Sequence, residues 1–219
     1  MEVAGYSKTF ALDQGQFLGN DQIFQALYNS PTSDPKRQGI CTGLSMIWLA
    51  RRMMFHDETA QQRANALFTN AAFIWGGRTQ DIHLAAGGAS GDTYSAMSAM
   101  YGDALRAFAL RVGTNCKSVF SGDFRKLSDT ATDVVDETGT YALWSIGLST
   151  TTGDAGHMVA SYSSHGSMLG GKHFYFFDPN MGEYRISAKD SFDFTWNMFE
   201  AYDKQFLGLR YVAAFEVVR

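Results

Sequence analysis

At 219 residues, with 45% hydrophobic, 14% aromatic and 18% charged side chains, the chain can fill a sizeable core and is neither disordered nor fibrous in composition. A formal net charge of −4, with Lys36-Arg37 and Arg51-Arg52 only isolated basic pairs, argues against a nucleic-acid-binding surface. Two cysteines make no disulfide framework, no eighteen-residue apolar run is present, and residues 1–5 lack a signal-peptide pattern, so two free thiols in a reducing compartment are expected.

In chain order, residues 1–19 carry weak periodicity and read as a peripheral lead-in with at most a short strand. Asn20 or Asp21 caps a helix through Tyr28, with Ile23, Phe24 and Leu27 on one face. A loop containing Pro31 and Pro35 follows, because proline lacks an N–H and restrains its predecessor. Leu44, Ile47, Trp48 and Met54 or Phe55 then recur at helical spacing, so a buried helix starts at or just after Cys41 and runs to about Phe55. Asp57 or Thr59 caps a further helix with Ala60, Ala64, Leu67, Phe68, Ala71 and Trp75 as its stripe, ended by Gly76-Gly77. Residues 85–92 read as glycine-rich punctuation without the lysine and spacing of a phosphate loop. Asp92 caps a helix over 93–111, with Met97, Met100, Tyr101, Leu105 and Phe108 inward, and residues 123–137 read as a polar, mostly exposed helix.

After Gly139 the hydrophobic period changes to two. Residues 141–147, 157–162, 173–177, 182–186 and 211–218 read as strands, interrupted by a helix over 189–205. Helices first and strands later is the pattern of an α+β domain with a segregated antiparallel sheet. No repeat or linker marks a second domain, so residues 1–219 are expected to form one.

Cys41 stands where loop becomes helix. There the unpaired N–H groups and the positive end of the helix dipole favour a thiolate, which is the nucleophilic form. Free cysteine on an apolar helix is as readily a packing residue, so this segment alone leaves both roles open. A cysteine nucleophile needs an imidazole, and the imidazole needs a third group to fix its tautomer. His56, at a helix end, and His83 and His165, in loop or turn positions, are expected to face solvent. His157 and His173 each open an apolar strand. A hairpin symmetric about the bond between Ser167 and Met168 would put His157 directly opposite Asp178, and His173 opposite Tyr162. Asp178 also fits the start of an Asx turn through Pro179. Cys116 reads as a packed structural thiol, and no His/Cys cluster has metal-ligand spacing, so no metal or other cofactor is expected.

Residues 39–49 (Gly-Ile-Cys-Thr-Gly-Leu-Ser-Met-Ile-Trp-Leu), 156–160 (Gly-His-Met-Val-Ala) and 176–184 (Phe-Phe-Asp-Pro-Asn-Met-Gly-Glu-Tyr) resemble the three signature blocks of the YopT and AvrPphB family of papain-like cysteine proteases. The segment between His157 and Asp178 is longer than usual in that family, around residues 165–171. The resemblance implies a papain-like fold, with Cys41 as nucleophile at the head of a central helix, His157 as general base and Asp178 as its orienting acid. It also implies a bacterial effector or toxin domain secreted without a classical signal peptide. Such a domain acts in the host cytosol on a host protein substrate, as a monomer with no integral membrane segment. A second oxyanion donor beside the Cys41 N–H would come from a side-chain amide, and Gln38 is the only Asn or Gln in residues 30–40. A glutamine deamidase or transglutaminase, a cell-wall amidase, and an inactive protein-binding module are the competing expectations.

Overall fold

The computed structural model describes residues 1–86, 90–166 and 171–219. The first segment supplies β1 (Lys8–Ala11), α1 (Gln14–Leu18) and α2 (Asp21–Tyr28). The Asn20 side chain caps α2 by accepting from the Gln22 and Ile23 N–H groups. A 3-10 turn over Pro35–Gln38 leads into α3 (Cys41–Met54), whose residues Leu44, Trp48 and Leu49 are fully buried. Met54 and Phe55, expected inward, are 55% and 48% exposed, and Met53 takes the buried place.

The long helix expected after Thr59 is two helices, α4 (Ala60–Leu67) and α5 (Asn70–Ala86). Thr59 and Gln62 form a capping box on α4, and the Thr69 hydroxyl then accepts from Ala72 N–H at 3.1 Å, restarting the chain in a new direction. The new axis breaks the stripe, so Phe68 and Trp75 end at the surface. Gly76 and Gly77 do not end α5; they lie within it. A Cβ on Gly43 would stand 2.0 Å from the Gly76 carbonyl oxygen, so backbone meets backbone where α3 crosses α5.

Asp92 caps α6 (Thr93–Arg106), which is shorter than expected because Ala109 turns the chain at φ +56° into β2 (Arg111–Phe120). No strand was expected there. The segment lies at a sheet edge and buries only Val112 and Gly113, so its apolar alternation is faint. α7 (Phe124–Val135), expected to be mostly exposed, instead buries Leu127, Ala131, Val134 and Val135 along one face. The remaining elements are β3 (Tyr141–Thr150), β4 (Gly153–Ser163), β5 (His173–Asp178), β6 (Gly182–Ser187), α8 (Ser191–Gln205) and β7 (Gly208–Val218).

The seven strands form one sheet in the order β1-β6-β5-β4-β3-β7-β2, with every pairing antiparallel. Both faces are covered. Leu143, Met158, Ala160, Phe177 and Phe215 pack with α3 and α6 residues, whereas Trp144, Val159, Phe174, Phe176 and Ala214 pack with α7 and α8 residues. Two-sided burial explains why β3 and β5 read as nearly continuous apolar runs.

The helical and strand halves are pinned by a buried carboxylate. Glu183 accepts from Trp48 Nε1, Arg63 Nε and Arg63 NH2, each at 2.7 Å, and from Thr9 Oγ1 at 2.9 Å. Arg63 is 2% and Glu183 0% exposed, so removing one partner strands a charge away from water.

Two substitutions test this packing. Arg63→Ala is expected to lower unfolding free energy by about 3–5 kcal/mol, the usual cost of a broken buried ion pair. Gly43→Ala is expected to cost about 3 kcal/mol from backbone overlap, while Gly156→Ala, with nothing within 4 Å of its Cβ position, costs almost nothing. Urea midpoints of the purified variants measure all three.

Candidate active site

Cys41 occupies the first position of α3, after the residue Ile40. Ser45, one turn further on the same helix face, donates its hydroxyl to the Met158 carbonyl of β4 at 2.9 Å. That bond seats the head of α3 against the strand residue next to His157. Cys41, His157, Thr42, Met158 and Gln80 all line one open cleft of about 360 Å³.

His157 and Asp178 are hydrogen-bonded, with Nε2 3.1 Å from Oδ1. The bond arises from a register other than the expected one. Ala160 pairs with Phe177 and Tyr162 with Tyr175, so β5 is displaced by two residues relative to the symmetric hairpin. His173 accordingly does not face Tyr162; it pairs with Ser187 of β6, and its Nε2 lies 2.6 Å from Arg185. A shift of two preserves the face of every side chain, whereas a shift of one would have parted the pair. His157 therefore reaches Asp178 diagonally, at the point where β5 ends. Residues 167–170, in the hairpin tip, lie outside the described residues, as do residues 87–89 of the glycine-rich stretch.

Asp178 is fully buried and has three donors. Besides His157, the Asn180 N–H donates to Oδ1 at 2.7 Å, forming the Asx turn, and the buried Tyr202 hydroxyl of α8 donates to Oδ2. Burial alone would raise the acid's pKa; the charge and hydrogen bond of His157, with those of Tyr202 and Asn180, lower it instead. For His157 burial pulls downward, but Asp178 and then Cys41 push its pKa up to about 10. Burial likewise opposes the Cys41 thiolate, and contact with His157, helped by the Met158 and Thr42 N–H groups, carries the thiol below its ordinary value. Both shifts favour a thiolate beside an imidazolium, and with Nε2 bonded to the acid it is Nδ1 of the ring that is left for sulfur.

Gln14 ties the two halves of this arrangement together. Its Oε1 accepts from Ile40 N–H and its Nε2 donates to Asn180 Oδ1, each at 2.8 Å. One buried side chain of α1 thus spans the residue before Cys41 and the residue two past Asp178. The supposed lead-in is in part a brace for the site.

The other sequence-selected residues are more scattered. Gln38 is exposed on the 3-10 turn at the cleft rim. His83 is not in a loop; it belongs to α5, stacks on Tyr101 with ring centroids 4.6 Å apart, and lines the cleft. His56 and His165 are exposed, as expected. Cys116 is half-buried and unpaired with Cys41, and burial, with Glu216 and Asp92 nearby, pushes its thiol up to about 11. Gln14 had no signal in the sequence. Tyr202 had one, since it follows Phe194, Met198 and Phe199 on the buried face of α8, where a phenolic hydroxyl needs a partner. Among the described residues no group of three His, Cys, Asp or Glu side chains is placed to hold a metal, and no helix is long and apolar enough to cross a membrane.

A cysteine heading a central helix, facing a histidine and an acid carried by an antiparallel sheet, defines a papain-like α+β fold of the cysteine-protease type. The chain belongs to the peptidase C58 family, described as Yersinia/Haemophilus virulence surface antigen, whose model matches residues 21–208. Among solved structures, the avirulence protein AvrPphB of Pseudomonas is similar with a TM-score of 0.65 and 21% identity, over 84% of this chain and 94% of that one. PatoxP, a cysteine protease-like domain of the Photorhabdus asymbiotica toxin PaTox, aligns with a TM-score of 0.44 and 11% identity, over 98% of this chain and 55% of that one. No curated protein matches the sequence.

The charge state is testable with iodoacetamide. Cys41 is expected to reach its full alkylation rate at lower pH than an ordinary thiol, whose pKa is about 8.5, whereas Cys116 reacts only as pH approaches its raised value. Asp178→Asn removes the charge that sustains the imidazolium, so the Cys41 profile shifts upward toward the ordinary range. Mass spectrometry of alkylated peptides across pH 4–10 measures both.

Proposed function

We propose that this chain is a thiol endopeptidase of a bacterial effector or toxin, acting on a peptide bond of a host protein. The observation carrying this reading is the buried Asp178–His157 hydrogen bond converging with Cys41 in an open cleft. Family membership and the papain-like fold support it.

In this reading Cys41 is the nucleophile. His157, the general base, takes the thiol proton on Nδ1 and, as imidazolium, later donates it to the leaving amine. Asp178 holds the ring by Nε2–H and favours its charged form; Tyr202 and the Asn180 N–H hold the acid in turn. The thiolate adds to the scissile carbonyl, the amine departs with the proton from His157, and water admitted to the cleft hydrolyses the thioester with His157 as base. No metal or cofactor enters these steps. Delivery from the bacterium and action in the host cytosol follow from the effector reading, and the substrate is a folded or extended host protein rather than a nucleic acid.

A search for new N-termini in host-cell lysate, comparing the chain with Cys41→Ala and His157→Ala, is the test. At least one cleavage product is expected with the unaltered chain, and its rate is expected to fall by 10³-fold or more in either variant. A glutamine side chain heavier by one dalton, with no new N-terminus, would instead establish deamidation by the same triad. Equal, slow alkylation of Cys41 and Cys116 would make the chain a binding module.

A further inference from the structure

Hydrolysis of a carbonyl by Cys41 requires donors for the oxygen that becomes negative, and the donor set is where the structure departs from the sequence. The Cys41 N–H, at the head of α3, is bonded to no acceptor among the described residues. A second donor stands beside it on α5. Gly76 and Gln80 are one turn apart on the same face of α5. The close passage of Gly43 against Gly76 therefore brings Gln80 to the first turn of α3. There the Thr42 N–H donates to Gln80 Oε1 at 3.1 Å.

That bond determines which way the amide points. A backbone N–H needs an oxygen, so Oε1 must face Thr42, and Nε2 projects from the other branch of the same planar group. Gln80 is 7% exposed and lines the cleft beside Cys41 and His157. Its Nε2 makes no hydrogen bond to a described residue, and the side chain lines the open cleft. Gln38, by contrast, has no hydrogen bond to a described residue fixing its amide and lies exposed at the rim. A donor that is not held in place must be ordered during the reaction, which forfeits much of the gain from preorganisation.

We propose that Gln80, presented from α5 downstream of the nucleophile rather than from the loop before it, is the side-chain donor of the oxyanion hole. Its partner is the Cys41 N–H. The inference rests on the reading of Cys41 as nucleophile. As the thiolate adds to an acyl carbon, the C–S bond forms and the carbonyl π pair moves onto oxygen. Gln80 Nε2–H and the Cys41 N–H receive that charge. Collapse of the adduct restores the C=O bond and expels the leaving group.

4-Nitrophenyl acetate makes the test independent of any protein substrate. Acylation of Cys41 releases nitrophenolate, and subtracting the rate of Cys41→Ala isolates that thiol. Alkylation by iodoacetamide at the same pH uses the same thiolate but creates no oxyanion. The ratio of acylation to alkylation rates therefore reads the oxyanion donors alone. Gln80→Ala removes the amide, and Gln80→Glu keeps an acceptor for the Thr42 N–H while removing the donor. Both are expected to lower the ratio by about 10²–10³, the usual effect of losing one such donor, with Gln38→Ala lowering it less than tenfold. Ratios within threefold of the unaltered chain in both Gln80 variants, or a large loss confined to Gln38→Ala, would overturn the assignment while leaving the nucleophile in place. A Cys41 that is neither acylated nor alkylated faster than Cys116 would overturn the protease reading, and this inference with it.

Discussion

An ionised carboxylate taken wholly out of water has to be surrounded by donors, and Asp178 obliges this structure to supply them. Three elements converge to do so: β4 with His157, the turn after β5 with the Asn180 N–H, and α8 with Tyr202. The cost of burying the charge is offset only while all three are present, so the acid cannot drift from the imidazole without leaving donors or acceptors unmet. The same requirement governs pH. Because its folded pKa is depressed, Asp178 contributes stability that is present above the unfolded carboxylate range and is lost as pH falls through the folded value. His157 has the opposite sign: its raised pKa contributes stability below about 6.5, lost as pH rises through about 10.

Cys41 is positioned by a different kind of constraint, one of distance. α3 and α5 approach until their backbones touch at Gly43 and Gly76, and Ser45 then fastens α3 to the Met158 carbonyl. Packing sets how deep the helix lies, and a single hydrogen bond sets its rotation. With Ser45 held, Cys41 one turn earlier sits at the margin of the core, where it lines the floor of the cleft. The Glu183 cluster performs the corresponding task at the middle of α3, where Trp48 Nε1 is held by the same carboxylate as Arg63. Each anchor is polar and buried, which gives the helix one arrangement instead of several of similar energy.

Much of this was legible in residue order. The shift from helical to alternating periodicity after Gly139 located most of the sheet, and the cysteine, histidine and aspartate singled out at a helix start and two expected strand ends lie close together, although His157 stands four residues inside β4. The register of β4 against β5 was not legible. Pairing shifted by two residues leaves the apolar pattern unchanged, so no periodicity argument distinguishes the two. β2 was missed because an edge strand buries little, and the α4–α5 break was missed because Thr69 acts as a cap within an apolar stripe. Contacts made across the fold, such as Gln80 with Thr42 or Gln14 with Asn180, leave no mark on their own neighbourhoods in the chain.

Gln14 has a practical consequence. The family match opens at residue 21, and a fragment trimmed to that boundary would retain cysteine, histidine and aspartate while discarding the crosspiece between Ile40 and Asn180 and the β1 margin of the sheet. Such a fragment would pass every motif inspection and keep the Ser45 and Glu183 anchors, yet leave the Ile40 N–H and the Asn180 amide oxygen without the side chain that joins them. For this fold the useful limits of the domain are drawn by which side chains span the cleft, and a boundary taken from sequence similarity alone falls a few residues short.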